Sequence, residues 1–593
     1  MGKEGSKKIL AVPSVRRGNG SGHLHRMLHL AAEHPRRVSL FLDRTGKLTP
    51  GPTINLKPYE EFIRSEIDFR QLQKESWSYI LLDQRETPVS LLAGLKELIP
   101  GTPVAAVDEG GKHRKSLEYL IDTLPSLRRQ ECNLFKPDLN PRPLRRSLYY
   151  NCPLKFEKVL ISFGGEDPRG LTLPTLMALR KIPFLSRTSI TVAAGPAFRE
   201  LSLPSDIEIL RAPGNLREYL SEYDCLITSY GLTALEALAA GIPVVTVNPS
   251  RYHSRLAKKT GLLVCGTGKP DAGRLKRALE NPRKLIGRCA LAEENLRDTA
   301  DADPSPAELS PSASVCPGCG AAPGRVLGRF PERTFYRCAS CTLVYQQRWI
   351  PDSTVYNHAY FFDEYKRQYG KSYLDDFAHI RSMGRERLRN IRIENSDPSL
   401  LDVGCAYGPF LEAAREAGFR IEGLEPSKEA ARWAEEHLGC RVSPMGLEEF
   451  VRKNPQKKWD AVTLWYVIEH FPDLESALQQ LSGMVKPGGM LALGTPNGAG
   501  ISARRNLKKF LAASPADHYT ILSPKSVKRL LKQKGFRVEK IRIPGMHRER
   551  FPVLFRILWP FTAGIARLLR LGDTFEVYAR RMDRERKDNS REG

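Results

Sequence analysis

The chain is poor in cysteine, and its cysteines lack the density of a secreted disulfide scaffold. Of 593 residues, 11 are cysteine, and most of them stand singly along the chain. Small secreted domains that rely on disulfides carry cysteines at far higher density. The first residues, MGKEGSKKILAVPSV, also lack the long apolar run of a secretory signal peptide. We therefore expect a cytoplasmic protein.

Long hydrophobic runs are missing as well. The stretch at residues 551–571, FPVLFRILWPFTAGIARLLRL, is apolar enough to raise the question of a membrane segment. A membrane-spanning helix is disfavoured by the charged and helix-breaking residues within it: Arg556, Pro560, Arg567 and Arg570. Two interpretations stay open, a buried helix with a basic edge or a helix on a membrane surface with snorkelling arginines. In the second case the protein would be peripheral to the inner face of the membrane.

Acidic residues are outnumbered by basic ones. The chain has 92 lysines and arginines against 67 aspartates and glutamates, a formal net charge of +25. This balance favours anionic partners such as nucleotide phosphates or acidic lipid headgroups, and it allows peripheral membrane contact through a basic surface. The basic residues are dispersed and match no DNA- or RNA-binding signature, so no nucleic-acid partner is expected.

One stretch without hydrophobic periodicity divides the chain. Residues 298–314, DTADADPSPAELSPSAS, have a composition typical of linkers. A length of 593 residues requires several domains. We predict the following segments: a first lobe at 1–150, a second lobe at 151–297, a linker at 298–314, a cysteine-containing segment at 315–350 and a C-terminal domain at 351–593.

Both halves of the chain alternate short apolar runs with helix-length segments. The runs before the linker begin with KKILAVPSV at 7–15, end with PVVTVN at 243–248 and fall into two series. A further series begins with SLLDVGCA at 399–406 and ends with TFEVYARR at 574–581. Apolar strands separated by helices are typical of parallel sheets covered on both faces. The predicted fold class is α/β, with two Rossmann-like lobes before the linker and one doubly wound sheet after it.

A glycine turn follows the first strand of the last series. In LLDVGCAYGPFLEAAREAG, Gly404 and Gly408 allow a tight turn and a close approach of a ligand to the backbone. The free N–H groups of the following helix can bind an anion. The next strand ends at Glu425, where a carboxylate can accept both hydroxyls of a ribose. Alone, this turn fits any nucleotide-binding Rossmann unit.

Two later segments make the pattern more specific. WDAVTLWYVIEHFPDLESAL supplies a strand with a polar tip, and LSGMVKPGGMLALGTPN contains a Pro-Gly-Gly turn before another strand. The ordered set resembles the class I S-adenosylmethionine-dependent methyltransferases. The resemblance implies S-adenosylmethionine as cofactor, held by these residues: Asp402, Gly404 and Gly408 around its methionine portion, Glu425 on its ribose, and Leu464 and Trp465 along its adenosyl pocket. Ala406 departs from the family's usual glycine and should be tolerated if its φ angle is not positive.

Methyl transfer to a hydroxyl needs a base that removes the hydroxyl proton, and neutral histidine suits this role near neutral pH. His470 stands at the tip of a strand, where active sites of this fold gather. His518 precedes a Ser-Pro helix start. Both are candidate catalytic bases. The alternative for Glu469 and His470 is a structural role in shaping the pocket.

The first half of the chain contains three motifs that can face phosphates: GNGSGH, ISFGGEDP and SYGLTALEA. The first and third each pass from a glycine-containing loop into a helix, whose first amides are free to bind an anion. The candidate substrate-binding residues in them are Gly22, Gly164, Gly165, Gly231, Thr233 and Glu236. His23 stands at a loop–helix junction and is placed for chemistry, whereas Asp167 is expected to order its own loop.

Together the three motifs resemble the two-lobed GT-B nucleotide-sugar enzymes, in particular the UDP-sugar hydrolase of pseudaminic acid biosynthesis. The resemblance implies that His23 activates water or an acceptor hydroxyl at the anomeric carbon. It also implies a UDP-sugar or related nucleotide-sugar, with Gly231, Thr233 and Glu236 on the UDP moiety. Residues 248–259, NPSRYHSRLAKK, lack the family's Asn-Gln pair near the sugar. Either the sugar differs or catalysis is lost.

Four cysteines form two C-x-x-C pairs, Cys316 with Cys319 and Cys338 with Cys341. Their spacing is typical of a structural zinc ion held by four thiolates, a closed shell without a catalytic water. A redox dithiol and an iron–sulfur site are the alternatives. Methyltransferases that act on sugars often resemble this arrangement, with a small zinc module before the catalytic sheet. The cysteine-containing segment at 315–350, here called the zinc ribbon, is therefore predicted to belong to the C-terminal domain.

These features predict a bifunctional enzyme of surface-glycan or unusual-sugar biosynthesis. One half would hydrolyse or transfer a nucleotide-sugar, and the other would methylate a sugar or glycan-precursor acceptor. The alternative is a methyltransferase whose first half is a non-catalytic nucleotide-sugar-binding module that recruits the enzyme to its substrate.

Overall fold

A computed structural model of the chain describes residues 8–16, 22–49, 52–125, 131–137, 153–165, 167, 169–195, 198, 203–211, 216–298, 305–350, 370, 372–545, 548–551, 557 and 559–583. The chain divides into two compact units. The first unit contains Met1–Ala313 and Arg329–Arg333, and the second contains Ser314–Gly328 and Thr334–Gly593. The finer domain boundaries drawn from the sequence remain predictions.

The first unit contains two parallel six-stranded sheets. The first sheet has the order β2-β1-β3-β4-β5-β6, and its pairings are parallel. Its strands are β1 (Lys8–Pro13), β2 (Val38–Leu40), β3 (Trp77–Asp83), β4 (Val104–Val107), β5 (Tyr119–Asp122) and β6 (Leu134–Phe135). The order reverses between β1 and β3. Ligands of open α/β sheets bind at the carboxyl ends of the strands at such a switch point.

The second sheet of this unit has the order β12-β11-β10-β7-β8-β9 and is also parallel. Its strands are β7 (Lys158–Ser162), β8 (Ser189–Ala194), β9 (Glu208–Arg211), β10 (Cys225–Thr228), β11 (Val244–Asn248) and β12 (Leu263–Thr267). Its switch point lies between β7 and β10. The segments that follow these two strands carry the second and third motifs predicted to face phosphates.

The helices of the first unit connect these strands and cover the sheets. They are α1 (Gly22–Glu33), α2 (Phe69–Lys74), α3 (Val89–Leu98), α4 (Thr172–Arg180), α5 (Leu232–Ala239), α6 (Arg251–Lys259), α7 (Ala272–Leu279) and α8 (Pro282–Asp298). Side-chain caps mark several starts, as at α7, where the Asp271 carboxylate accepts the N–H of Arg274. Three strands, β5, β6 and β12, were not predicted. They are short and lie at or next to a sheet edge, so their sequence pattern is brief.

Part of the predicted linker is packed. Ser305 caps a short 3-10 helix at Pro306–Glu308. Ala307 and Leu309 are buried, and the Arg37 guanidinium donates to the Leu309 carbonyl at 3.3 Å. The Tyr79 hydroxyl donates to the Pro306 carbonyl. Within this polar segment, two buried apolar side chains therefore hold residues 306–309 in place.

A small four-stranded sheet follows, with the order β13-β14-β15-β21. Its strands are β13 (Arg325–Phe330), β14 (Arg333–Arg337), β15 (Val344–Arg348) and β21 (Thr520–Ile521). The last strand comes from a distant part of the second unit, because Val344 pairs with Ile521 and Tyr345 with Thr520 in antiparallel register. The cysteine-containing segment thus shares a sheet with a loop of the C-terminal half.

The large sheet of the second unit has seven strands in the order β18-β17-β16-β19-β20-β23-β22. They are β16 (Ser399–Val403), β17 (Arg420–Leu424), β18 (Val442–Ser443), β19 (Trp459–Trp465), β20 (Val485–Pro496), β22 (Phe536–Arg542) and β23 (Thr574–Arg581). Only β23 runs antiparallel to its neighbours. The order reverses between β16 and β19, so the expected ligand site lies at the carboxyl ends of these two strands.

The helices of the second unit are α9 (Phe377–Leu388), α10 (Pro409–Glu416), α11 (Lys428–Leu438), α12 (Leu447–Lys453), α13 (Leu474–Met484), α14 (Ile501–Arg505), α15 (Leu507–Ala512), α16 (Pro524–Gln533) and α17 (Trp559–Leu568). Among the described residues, none of the helices is long and apolar enough to cross a membrane. The interpretation of residues 551–571 as a buried helix differs from the structure, because several apolar side chains of α17 are exposed.

Candidate active site

A glycine turn joins β16 to α10 at the switch point of the large sheet. Gly404 and Gly408 have φ angles of +72° and +79°. A Cβ at Gly404 would lie 2.5 Å from Val467 Cγ2, and a Cβ at Gly408 would lie 2.6 Å from Leu438 Cδ1. Both positions therefore need glycine for conformation and for space. Pro409 then starts α10 at the position where its missing N–H costs nothing.

Ala406, inside this turn, has a φ angle of +48°. Alanine was expected to be tolerated here only without a positive φ angle, and that condition is not met. Its N–H donates to Glu425 Oε2 at 2.9 Å, which holds the strained backbone in place. Strain of this kind, worth about 1–2 kcal/mol, is typical of ligand-binding turns.

Two buried carboxylates stand beside the turn. Glu425 follows β17, and its two oxygens accept the N–H groups of Ala406 and Ser427, each at 2.9 Å. Asp402 lies in β16 and accepts the Thr463 hydroxyl at 2.6 Å. Burial raises the pKa of both carboxyl groups to about 7, against the hydrogen bonds that favour their charged forms. Two buried carboxyl groups with raised pKa values therefore lie next to the glycine turn.

Leu464 and Trp465 occupy the end of β19. Leu464 is fully buried in the core of the sheet. The Arg387 guanidinium lies over the Trp465 ring, 4.2 Å from the ring centre. The centre of the Phe410 ring lies 5.1 Å from that of Trp465. Its buried indole N–H has no hydrogen-bond partner among the described residues. The structure thus places both residues beside the turn, and their contact with an adenosyl group stays a prediction.

The two candidate bases are neighbours. The rings of His470 and His518 meet edge to face at 4.7 Å, and His470 Nδ1 lies 3.1 Å from Asp517 Oδ2. Glu469 is fully buried, and its Oε2 accepts the Thr495 hydroxyl at 3.0 Å. Burial lowers the pKa of His470, but the hydrogen bond with Asp517 and the charges of Glu469 and Asp517 outweigh it and raise the pKa. Glu469, His470 and His518 also converge closely enough to hold a metal ion.

Sequence reasoning missed several residues of this cluster. Asp517 stands next to a candidate base in the sequence but gave no signal of its contact with His470. Tyr466, at the end of β19, has a φ angle of +61° and is 40% exposed. A positive φ angle in a bulky residue is a mark of a constrained functional position.

The small sheet holds the loop that carries Asp517 and His518. The Gln346 N–H donates to the Tyr519 carbonyl at 3.0 Å, and its side-chain amide donates to the Ala516 carbonyl at 2.6 Å. The Arg348 guanidinium also donates to Ala516 at 2.5 Å. These bonds extend the β15–β21 pairing to both sides of the Asp517–His518 dipeptide. The zinc ribbon therefore holds the loop that carries Asp517 and the candidate base His518.

The four predicted metal ligands converge. Cys316 Sγ lies 3.6 Å from Cys341 Sγ, and Cys319 Sγ lies 3.6 Å from Cys338 Sγ. These separations suit four thiolates around one tetrahedral zinc ion with Zn–S bonds of about 2.3 Å. The hydrogen bond from the Cys316 thiol lowers the pKa of Cys341 to about 5. The cluster can bind zinc, and its donor set leaves no position for substrate.

Comparison with known proteins adds the family. A methyltransferase domain model matches residues 375–541. That range contains the glycine turn, both buried carboxylates and the cluster around His470. Residues 375–541 are a class I S-adenosylmethionine-dependent methyltransferase domain.

Relatives of this methyltransferase domain are similar at moderate identity. The ubiquinone biosynthesis O-methyltransferase of Thiobacillus denitrificans is 25% identical over 186 residues, which cover 28% of this chain and 77% of the relative. The enzyme of the same name from Aliivibrio fischeri is 28% identical over 194 residues, 29% of this chain and 78% of the relative. A crystal structure of a SAM-dependent methyltransferase from Archaeoglobus fulgidus is 17% identical, with a TM-score of 0.28, covering 37% of this chain and 99% of that one.

Cofactor binding by the methyltransferase domain should strengthen as pH rises through about 7. The Glu425 carboxyl is protonated below that pH and can accept ribose hydroxyls at both oxygens only when ionised. Glu425→Gln should weaken S-adenosylmethionine binding about tenfold or more and reduce its pH dependence. Titration calorimetry between pH 6 and 8 measures both effects. The exposed Glu448→Gln is the matched control, and an unchanged pH profile in Glu425→Gln would contradict the assignment.

In the first unit, His23 forms a buried dyad at the switch point of its sheet. His23 Nδ1 lies 2.6 Å from Asp83 Oδ1, at the carboxyl end of β3, and Asp83 is fully buried. Arg26 bridges Asp83 and Asp108 at 2.9 and 2.8 Å. In the tautomer in which Nδ1–H donates to the Asp83 carboxylate, Nε2 is the ring nitrogen left to accept a proton. The arrangement can activate a hydroxyl or water, in contrast to His25, which packs against Tyr59.

The candidate substrate-binding residues of this unit fall into two places. Gly164 and Gly165 follow β7, and a Cβ on Gly195 would lie 2.3 Å from Gly165, so these segments pack without side chains between them. Gly231, Thr233 and Glu236 belong to the start of α5, and all three are half-buried. A Cβ on Gly22 would lie 3.3 Å from Leu232, which brings the start of α1 close to the start of α5.

The Asp167 side chain bonds to its own loop. Its two carboxylate oxygens accept the N–H groups of Leu171 and Thr172 at 2.9 and 2.8 Å, at the start of α4. Its φ angle is +39°, a conformation that aspartate tolerates better than most residues. The loop-ordering role expected from the sequence accounts for these contacts.

Proposed function

We propose that this protein is a bifunctional enzyme whose methyltransferase domain methylates a hydroxyl of a sugar or glycan precursor. The observation that carries the proposal is the cluster of Glu469, His470, Asp517 and His518 beside the glycine turn. Its relatives include enzymes named as O-methyltransferases, which supports an oxygen acceptor. The sugar acceptor rests on the resemblance of the zinc ribbon and methyltransferase pair to sugar-modifying enzymes.

In this mechanism His470 acts as the general base. The acceptor hydroxyl would lose its proton to the His470 imidazole as its oxygen takes the methyl group that bound S-adenosylmethionine would supply, with S-adenosylhomocysteine as the other product. The Asp517 carboxylate, 3.1 Å from Nδ1, orients the ring and stabilises the imidazolium that forms. Glu469 adds a negative charge next to the ring. Cofactor binding falls to Asp402, Glu425 and the turn, as the resemblance implies.

Zinc would be held by Cys316, Cys319, Cys338 and Cys341 in a structural role. The four thiolates close its coordination shell, so it supplies folding free energy and no catalytic water. Because β15 pairs with β21, the zinc site would also stabilise the loop of Asp517 and His518. Cytoplasmic location follows from the sequence argument and stays an expectation.

For the first unit we propose a nucleotide-sugar site at the two switch points. Support comes from the His23–Asp83 dyad and from Gly22 and Gly231 at the neighbouring starts of α1 and α5. His23 would activate water in a hydrolase or an acceptor hydroxyl in a transferase. A non-catalytic module that binds a UDP-sugar and recruits the methyltransferase is the alternative function.

Full-length protein incubated with labelled S-adenosylmethionine and a panel of UDP-sugars tests both halves at once. Mass analysis should find a methylated sugar product and, if the first unit is a hydrolase, free sugar without any acceptor. Nucleotide release only in the presence of an acceptor would indicate a transferase. Binding without turnover would support the recruitment module, and absence of any sugar-dependent methylation would contradict the proposed acceptor.

His23→Ala should lower cleavage of the UDP-sugar by about 10²–10⁴-fold, the range typical of a lost general base. Asp83→Asn should lower it too, since the neutral amide no longer fixes the tautomer of His23. The matched control is His29→Ala on the same helix, where the ring pairs with Glu33 and, among the described residues, with no other charged group. Equal turnover in His23→Ala and His29→Ala, measured by released nucleotide, would rule out His23 as the base.

A further inference from the structure

Helix α17 (Trp559–Leu568) shows one apolar face to solvent. Phe561 and Leu568 are 80% and 82% exposed, and Ile565 between them is 48% exposed. The spacings of four and three residues place these side chains on one side of the helix. Ile557 and Leu569 are also exposed and extend the strip at both ends. Contiguous bulky apolar groups of this kind mark interaction sites on soluble proteins.

The rest of the helix is anchored to the second unit. Ala566 is fully buried and packs in a small cluster with Ile501, Phe551 and Leu571. The Arg505 guanidinium donates to the Arg550 carbonyl at 2.5 Å, and Arg550 pairs with Asp573 at 3.0 Å. One face of the helix is therefore buried in the unit, and the described apolar side chains of the other face are exposed.

The sequence around the strip is basic. From residue 541 to 572 it contains six arginines (542, 548, 550, 556, 567 and 570) and one acidic residue, Glu549. Two of these arginines form ion pairs in the structure, Arg542 with Glu386 and Glu576 and Arg550 with Asp573. Helices α14 and α15, which reach the cluster through Ile501, carry Arg504, Arg505, Lys508 and Lys509 and no acid. An apolar face next to dense positive charge is the pattern of helices that lie in the interface of an anionic bilayer.

Other occupants fit this surface less well. A second copy of the same face would bring two strongly basic patches together, and like charges in contact cost binding free energy. The helix has ten residues, about 15 Å of axis, which is far too short to span a membrane. Side chains that project singly from a short helix can insert among lipid headgroups without a complementary groove.

We propose that α17 is an interfacial anchor by which this protein binds the surface of a negatively charged lipid bilayer. The chain directly after the anchor contacts the carboxyl end of β20, in the sheet that carries the candidate active site. The Asn497 side chain, just after β20, donates to the Gly572 carbonyl at 2.7 Å, and Thr495 in the same strand contacts Glu469. The proposal does not depend on the identity of the methyl acceptor.

Flotation of the full-length protein with vesicles tests the anchor. Vesicles of phosphatidylcholine alone are compared with vesicles that also contain phosphatidylglycerol, at low and high salt. The wild-type protein should float with the anionic vesicles, less at high salt, and only weakly with the neutral ones. The double variant Phe561→Ser/Leu568→Ser should lower the bound fraction about tenfold or more, because the inserted apolar groups are lost.

The matched control is Leu291→Ser, which removes an exposed leucine from α8 in the first unit and should leave flotation unchanged. The double variant should fold normally, because both altered side chains are exposed. Its binding of S-adenosylmethionine checks that the methyltransferase domain is folded. The proposal is overturned if the wild type floats with neither vesicle, or equally with both. It is also overturned if the double variant floats like the wild type. A wild-type dimer that the double variant dissociates, without vesicle binding, would instead make this face a self-interface.

Discussion

Replacing His470 with alanine is expected to lower the rate of methyl transfer by about 10²–10⁴-fold and to leave S-adenosylmethionine binding intact. The ring of His470 contacts the Asp517 carboxylate and the ring of His518, whereas the carboxylates proposed to bind the cofactor, Asp402 and Glu425, lie in β16 and directly after β17. Turnover with a methylated product and calorimetric cofactor affinity separate the two effects. His518→Ala should lower the rate of methyl transfer by less, because the Asp517 carboxylate contacts the ring of His470 and supports His470 as the base.

The same assignment predicts a pH profile. Only neutral imidazole can accept a proton, and the Asp517 hydrogen bond with the neighbouring negative charges raises the pKa of His470 against burial. Activity should therefore rise with pH through a midpoint above 6.5, the ordinary value for histidine. Asp517→Asn removes that stabilisation of the imidazolium and should move the midpoint to lower pH, with a lower maximal rate.

The control for this series is His379→Ala, which removes an exposed histidine from α9, away from the cluster. Full activity in both His470→Ala and His518→Ala would remove general-base catalysis from the mechanism. An unshifted midpoint in Asp517→Asn would leave His470 as a residue that shapes the pocket without moving a proton. In either case cofactor binding, which rests on other residues, would remain.

Serine at Cys316 or at Cys338 is expected to abolish stoichiometric zinc and to destabilise the second unit. A structural zinc site contributes on the order of 10 kcal/mol to folding, enough to order a ribbon too small for its own core. The effect should reach catalysis, because β15 pairs with β21 and Gln346 bonds to both sides of the Asp517–His518 dipeptide. We expect turnover to fall much more than cofactor affinity.

Elemental analysis, thermal unfolding and turnover of the purified variants measure these effects. Cys440→Ser is the matched control, since Cys440 is a half-buried cysteine of the same unit outside the cluster. Removal of metal with a chelator should reproduce the serine variants in the wild-type protein. Zinc retained by both variants would refute four-thiolate binding, and full turnover without zinc would separate the ribbon from the active-site loop.

Much of the methyltransferase domain could be predicted from sequence, because its signals are local. The glycines of the β16–α10 turn, the carboxylate after β17 and the His470 tip each lie within a few residues of a strand end. Strand ends are visible in the sequence as the points where apolar runs stop. Ala406 is the instructive exception, since alanine gives no sign that its backbone must take a positive φ angle. That angle follows from the hydrogen bond to Glu425, which is nineteen residues away.

The sequence by itself determined the α/β class, the parallel series of strands, the two C-x-x-C pairs and the candidate histidines, because these depend on periodicity and spacing along the chain. Only the tertiary structure joined Asp517 to His470, paired β15 with β21, and set Asp83 against His23. It also decided which face of α17 is exposed. Such contacts join segments far apart in the chain, and their formation depends on how whole sheets and helices pack, which no local pattern encodes.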